Sequence, residues 1–211
     1  MSLFIVFEGG EGCGKSTQAR ALYQKLHQQG IPVVLTHEPG GTALGNRIKR
    51  EVKRKRVDPV SPEAELFLFV ASRTQLTAQV IQPALQQGKI VICDRFSYST
   101  LAYQGYGRKL KMPAVETINN IATKGLKPAL IILLDMPPEK GLTRKKGVRD
   151  PFELEDISFH RRVREGYLKM AAAEPDRWLM IDATMPKKNI TEIIWDKVSQ
   201  LLAKSESKTC P

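Results

Sequence analysis

A chain of 211 residues is long enough for one α/β core and too short for two sizeable ones. With 42% hydrophobic and 26% charged residues it has the balance of a globular protein rather than a disordered one, and no apolar run approaches the ~20 residues needed to cross a bilayer. Three cysteines without metal-ligand spacing exclude a zinc site or a disulfide framework, while a formal charge of +11 suits nucleic acid or a polyanionic small substrate equally. The expectation is a single-domain cytoplasmic protein spanning residues 1–211, with no membrane partner.

In chain order, apolar runs of strand length alternate with longer helical patterns, which predicts βαβ units feeding a parallel sheet covered on both faces. The first strand, Leu3–Phe7, runs into a glycine-rich acidic turn rather than a cleavage site, and a helix follows from Lys15 to Gln29, stopped by Gly30 and Pro32. A second strand covers Val33–Thr36. The basic run Arg47–Arg56 carries only Glu51 as counter-charge and no interleaved aromatics, so it reads as a solvated helix face rather than a nucleic-acid groove. Ser61-Pro62-Glu63 offers an N-cap hydroxyl, a first-turn proline and an acid for the helix dipole, which predicts a helix from there to near Gly88. Strands at Ile90–Cys93, Ala129–Leu134 and Trp178–Ile181 alternate with helices around Pro113–Thr123, Asp156–Ala173 and Lys188–Ala203, and residues 204–211 read as a frayed tail.

Directly after the first strand stands Gly9-Gly10-Glu11-Gly12-Cys13-Gly14-Lys15-Ser16, followed by Thr17, which fits G-x-x-x-x-G-K-[ST] between a strand and a helix. The glycines let successive backbone N–H groups turn around phosphate oxygens, and the helix N-terminus adds its dipole. Lys15 is expected to bridge the β- and γ-phosphates of ATP, and the Ser16 hydroxyl to ligate Mg²⁺. A turn that only joined strand to helix would not need a lysine followed by a hydroxyl. No N-K-x-D or D-x-x-G segment stands where a GTPase needs one. The architecture expected is therefore a three-layer P-loop NTPase fold, a five-stranded parallel sheet flanked by helices.

At the end of the third strand, Asp94-Arg95-Phe96 opens the segment Ser97 to Gly105. Ligands of open α/β sheets bind beyond the carboxyl ends of strands, so these side chains should face the same crevice as the P-loop. Asp94 can hold Mg²⁺ through water, and Arg95 can fork between acceptor and donor phosphates.

The segments E-P-G-G-T (Glu38–Thr42), A-S-R (Ala71–Arg73) and D-R-F-x-x-S-x-x-A-Y-Q-G, with L-L-D at Leu133–Asp135 and I-D-A at Ile181–Ala183, resemble those of thymidylate kinases over most of the chain. The resemblance implies transfer of the γ-phosphoryl group of ATP to dTMP, with Mg²⁺, in a homodimer. Residue by residue, it implies that Glu11 holds the acceptor 3′-hydroxyl, that Phe69 stacks on thymine, and that Arg73, one helical turn later on the same face, bonds to the base. Ser99, Thr100, Tyr103 and Gln104 match the segment lining base and sugar, and Glu38 joins Ser16 and Asp94 as a candidate Mg²⁺ ligand. Where the family often has arginines, this chain has His37, read as a loop histidine satisfied locally, and Lys49, which can touch the acceptor phosphate without a bidentate fork.

Between the fourth strand and the next long helix, Arg144-Lys145-Lys146-Gly147-Val148-Arg149-Asp150-Pro151 forms a basic loop, read as a short lid over about residues 144–153. Some members of the family carry a catalytic arginine in the P-loop. This P-loop has none, so Arg149, with Arg144 as second choice, is expected to neutralise charge on the transferring group. Two rival readings remain: a deoxynucleoside kinase with Glu38 as base, and a nucleotide-regulated protein binding nucleic acid through Arg47–Arg56.

Overall fold

The computed structural model describes residues 2–54, 58, 60–144 and 150–206. Five parallel strands, β1 (Leu3–Glu8), β2 (Val33–His37), β3 (Ile90–Asp94), β4 (Leu130–Asp135) and β5 (Trp178–Asp182), form one sheet in the order β2-β3-β1-β4-β5. Alternation along β1 explains the layers. Ile5 and Phe7 join the core beneath α1 (Lys15–Gln28) and α9 (Lys187–Glu206) through Leu22, Leu26, Ile190, Ile194 and Val198, whereas Phe4 and Val6 point to the opposite face with Leu76, Ile81 and Phe96. A strand buried on both faces has to be apolar at nearly every position, and these strands are.

The remaining helices among the described residues are α2 (Ala43–Val52), α3 (Pro62–Leu76), α4 (Gln82–Gln86), α5 (Ser97–Thr100), α6 (Met112–Thr123), α7 (Pro138–Arg144) and α8 (Ile157–Ala173). The expected continuous helix from Ser61 to Gly88 is instead α3, a π-helical stretch Thr77–Ile81, and α4. Pro83 has no N–H to give the helical ladder, and the wider turn lies immediately before it, with the Gln82 N–H reaching Thr77 O. Sequence reading passed over α5, α7 and a second π-helical stretch, Leu101–Gly107, which carries Tyr103 and Gln104. Arg144 ends α7 rather than opening a loop. Helix α9 continues to Glu206, where a frayed tail from residue 204 was expected.

Register positions the site. Phe7 pairs with Asp94 across β1 and β3, and His37 with Asp94 across β2 and β3, so the ends of three strands are level. The P-loop leaves β1 between β3 and β4, where the connections diverge to opposite sides.

The Ser61 hydroxyl accepts a hydrogen bond from the Ala64 N–H at 3.2 Å and so caps α3. Ser61→Ala should lower stability by about 1 kcal/mol in urea unfolding, the usual cost of a lost N-cap.

Candidate active site

A cleft of about 620 Å³ opens at the carboxyl ends of β1, β2 and β3. The P-loop forms one wall through Glu11, Gly12, Gly14, Lys15, Ser16 and Thr17. Gly12 adopts φ +69°, and a β-carbon there would run into the carbonyl of Gly141 on α7, so only glycine permits that approach. Lys15 is buried with its Nζ donating to Gly10 O at 2.5 Å and lying 3.4 Å from Cys13 Sγ. The Ser16 hydroxyl donates to Asp94 Oδ2, bringing a hydroxyl and a carboxylate from two elements to one point. That all-oxygen donor pair fits a hard cation such as Mg²⁺. Among the described residues no group of three or more His, Cys, Asp or Glu side chains could hold a metal by itself.

Behind this wall lies a buried polar network that sequence reading identified only in part. Arg95 sits at φ +70°, and its Nη2 donates to Glu11 Oε1 at 2.7 Å and Tyr103 Oη at 3.1 Å. Its Nη1 donates to Gly9 O, Ser99 Oγ and Tyr167 Oη at 3.0, 3.2 and 3.3 Å. Burial alone would lower the pKa of this guanidinium, but Tyr103, Glu11, Tyr167 and Glu8 outweigh it and hold the value well above the ordinary one. Glu8, fully buried at the end of β1, accepts from the N–H groups of Phe96 (2.9 Å) and Ser99 (3.2 Å) and from the hydroxyls of Ser99 (2.6 Å) and Tyr167 (2.8 Å). Burial pushes its pKa up, and these partners oppose the rise. Neither Glu8 nor Tyr167 is singled out by sequence: Glu8 directly follows an apolar strand, and Tyr167 is one position of a helix of mixed composition. A glutamate closing β1 was the available signal for the first.

On the acceptor side, Phe69 lines the cleft and packs against Phe152 with ring centroids 5.7 Å apart. Phe152 falls inside the expected lid, residues 144–153, where no sequence signal pointed to a packing role. Arg73 also lines the cleft, but the residue as a whole is only 1% exposed: Nε and Nη2 donate to Glu38 Oε2 at 2.9 and 2.7 Å, Nη2 to Phe96 O at 3.2 Å, and Nη1 to Asn119 Oδ1 at 2.5 Å. Burial raises the Glu38 pKa to about 7 although Arg73 pulls it down. Gln104 lines the cleft while its Nε2 donates to Glu65 Oε1 at 2.8 Å, and Arg108 holds the same carboxylate. Thr100 lines it too, with a buried hydroxyl that has no partner among the described residues. His37 is the last residue of β2 rather than a loop residue; it and Lys49 are half-buried in the cleft wall, and burial lowers the pKa of both.

Of the lid, residues 145–149 lie outside the described residues, and with them Arg149, Lys145 and Lys146. Arg144 is exposed, donates to Ala183 O at 3.0 Å and is not among the residues lining the cleft. Within the expected lid but after the basic stretch, Asp150 pairs with Lys53 at 2.7 Å, and both reach the cleft.

The family model for thymidylate kinase matches residues 7–194. A thymidylate kinase of Dehalococcoides mccartyi is 54% identical over 203 residues, covering 96% of this chain and 98% of its own length. One from Deinococcus radiodurans is 46% identical over 200 residues, covering 94% and 97%. Among solved structures, the thymidylate kinase from Ehrlichia chaffeensis aligns with a TM-score of 0.75 at 32% identity, covering 95% of this chain and 98% of that one. A P-loop kinase fold, with a cleft at the carboxyl ends of its strands and full-length relatives of one name, leads to one assignment: the chain belongs to the thymidylate kinase family, whose members transfer the γ-phosphoryl group of ATP to dTMP.

Proposed function

We propose that ATP lies on the P-loop, from Gly9 to Thr17, with Lys15 on its β- and γ-phosphates, and that dTMP occupies the wall made by Phe69, Arg73, Arg95, Ser99, Thr100, Tyr103 and Gln104. The observation that carries this reading is the meeting of Lys15, Ser16, Asp94 and Arg95 around one cleft that also reaches Phe69 and Arg73. Ser16 and Asp94 would hold Mg²⁺, which when bound neutralises phosphate charge. Glu38 pairs with Arg73 through Oε2 alone, which leaves its buried Oε1 without a partner among the described residues and available toward the same Mg²⁺, directly or through water. Glu11 is suited to the sugar hydroxyl, and Lys49 to the acceptor phosphate. No general base is required, because the acceptor phosphate is already an anion at neutral pH. Phosphoryl transfer asks of the protein chiefly positioning and cations.

The same reading takes residues 1–211 as one kinase domain with a lid, working in the cytoplasm as a homodimer. No helix among the described residues is long and apolar enough to cross a membrane. Exposed Leu44, Phe67 and Ile121, on α2, α3 and α6, of which α3 packs against the other two, support self-association.

A coupled assay offering dTMP, dUMP, dCMP and thymidine tests the function, and activity on thymidine alone would overturn it. Lys15→Ala should nearly abolish turnover while circular dichroism stays native; near-normal activity would remove Lys15 from the phosphate cradle. Arg73→Ala should raise KM for dTMP and leave KM for ATP in place, and an equal loss for both substrates argues against a base contact. Arg149→Ala should lower kcat by ~10³-fold with little change in either KM, and Arg149→Lys should recover only part of the rate, because an ammonium cannot fork across two oxygens. Arg144→Ala is the comparison, and if it is the crippling change the catalytic lid residue is the other arginine.

A further inference from the structure

Asn119 lies on α6, is 5% exposed, and is not among the residues lining the cleft. Its Nδ2 donates to Ser97 O at 3.2 Å, so the amide can face only one way, and its Oδ1 accepts from Arg73 Nη1 at 2.5 Å. Glu38 alone does not fix Arg73. Nε and Nη2 converge on the single oxygen Oε2 instead of forming two parallel bonds, and a guanidinium held at one oxygen can pivot about it. Phe96 O restrains the Nη2 side, and Asn119 is what restrains the Nη1 side.

Arginine has five N–H groups in one rigid plane. Here Nε uses one, Nη2 uses two and Nη1 uses one, which leaves a single Nη1 N–H without a partner among the described residues. Because the two N–H bonds of one nitrogen diverge at a fixed angle, the bond to Asn119 sets the direction of the free one.

We propose that Asn119 is a specificity-determining positioning residue, which aims the free Nη1 N–H of Arg73 at the acceptor base. The inference rests on Arg73 being the base-reading residue. A guanidinium only donates, so the fixed N–H suits the exocyclic carbonyl oxygen of thymine and opposes the amino group that cytosine carries at the same position.

Steady-state kinetics with dTMP and dCMP test this in the full-length protein, its Asn119→Leu, Arg73→Ala and doubly substituted variants, with thermal unfolding recorded for each. Asn119→Leu should lower the dTMP to dCMP ratio of kcat/KM on the order of tenfold, through KM for dTMP rather than for ATP. In the Arg73→Ala background the same change should have no further effect on the ratio. A ratio that falls with Arg73→Ala but holds with folded Asn119→Leu overturns the inference alone. So does an equal fall in both backgrounds, since Asn119 would then act without Arg73. If Arg73→Ala leaves the ratio unchanged, the base-reading assignment falls and the inference with it. Asn119→Ser serves the same comparison should the leucine variant fail to fold.

Discussion

The carboxylate of Glu8 ties the two halves of the cleft together. It ends β1, and it accepts the backbone N–H groups of Phe96 and Ser99 from the turn that ends β3. A carboxylate taken wholly out of water persists only if its lone pairs are used, and four donors use them here. Removing that acceptor would leave two backbone N–H groups and two hydroxyls competing for partners in the core. The unusual backbone of Arg95, at φ +70°, lies next to this anchor, and the energetic cost of such a conformation in a non-glycine residue needs an anchor of that kind.

Buried arginines raise the matching problem. Arg95 and Arg73 are enclosed beside the cleft, each against a glutamate, Glu11 and Glu38 respectively. The two carboxylates pair with the guanidinia, and hydroxyls, carbonyls and an amide take further N–H groups, with one Nη1 N–H of Arg73 left over among the described residues. A buried pair of this kind adds little stability compared with an apolar replacement, so its value lies in holding two planar donors in fixed orientation. Orientation is what the phosphate and base contacts proposed for them would require.

On either side of residues 145–149, the basic stretch of the proposed lid, the chain contacts the carboxyl edge of the sheet. Before it, the close approach of Gly141 to Gly12 docks α7 on the P-loop; after it, Asp150 pairs with Lys53 on the cleft rim, and Phe152 packs against Phe69 and Tyr103. Helix α8 then ties back through Arg164, which grips Asp135 at the end of β4 with both carboxylate oxygens, and through Tyr167 in the Glu8 network.

Local signals carried much of this protein. Five apolar runs alternating with helical patterns, and a G-x-x-x-x-G-K-S segment between the first strand and helix, already specify the sheet, the phosphate cradle and the family, because strand burial and phosphate binding by backbone N–H groups depend on residues close together in the chain. Ser61 as a helix cap was legible for the same reason, and so was a helix starting near Asp156. What the sequence left undecided concerns partners far apart: Glu8 with Tyr167, Arg73 with Asn119, Gln104 with Glu65, Arg144 with Ala183. Each of these residues reads in isolation as core, helix surface or loop. Only the crossing of helices over a twisted parallel sheet brings them within hydrogen-bond reach, and composition or periodicity carries no record of which distant side chain will be there.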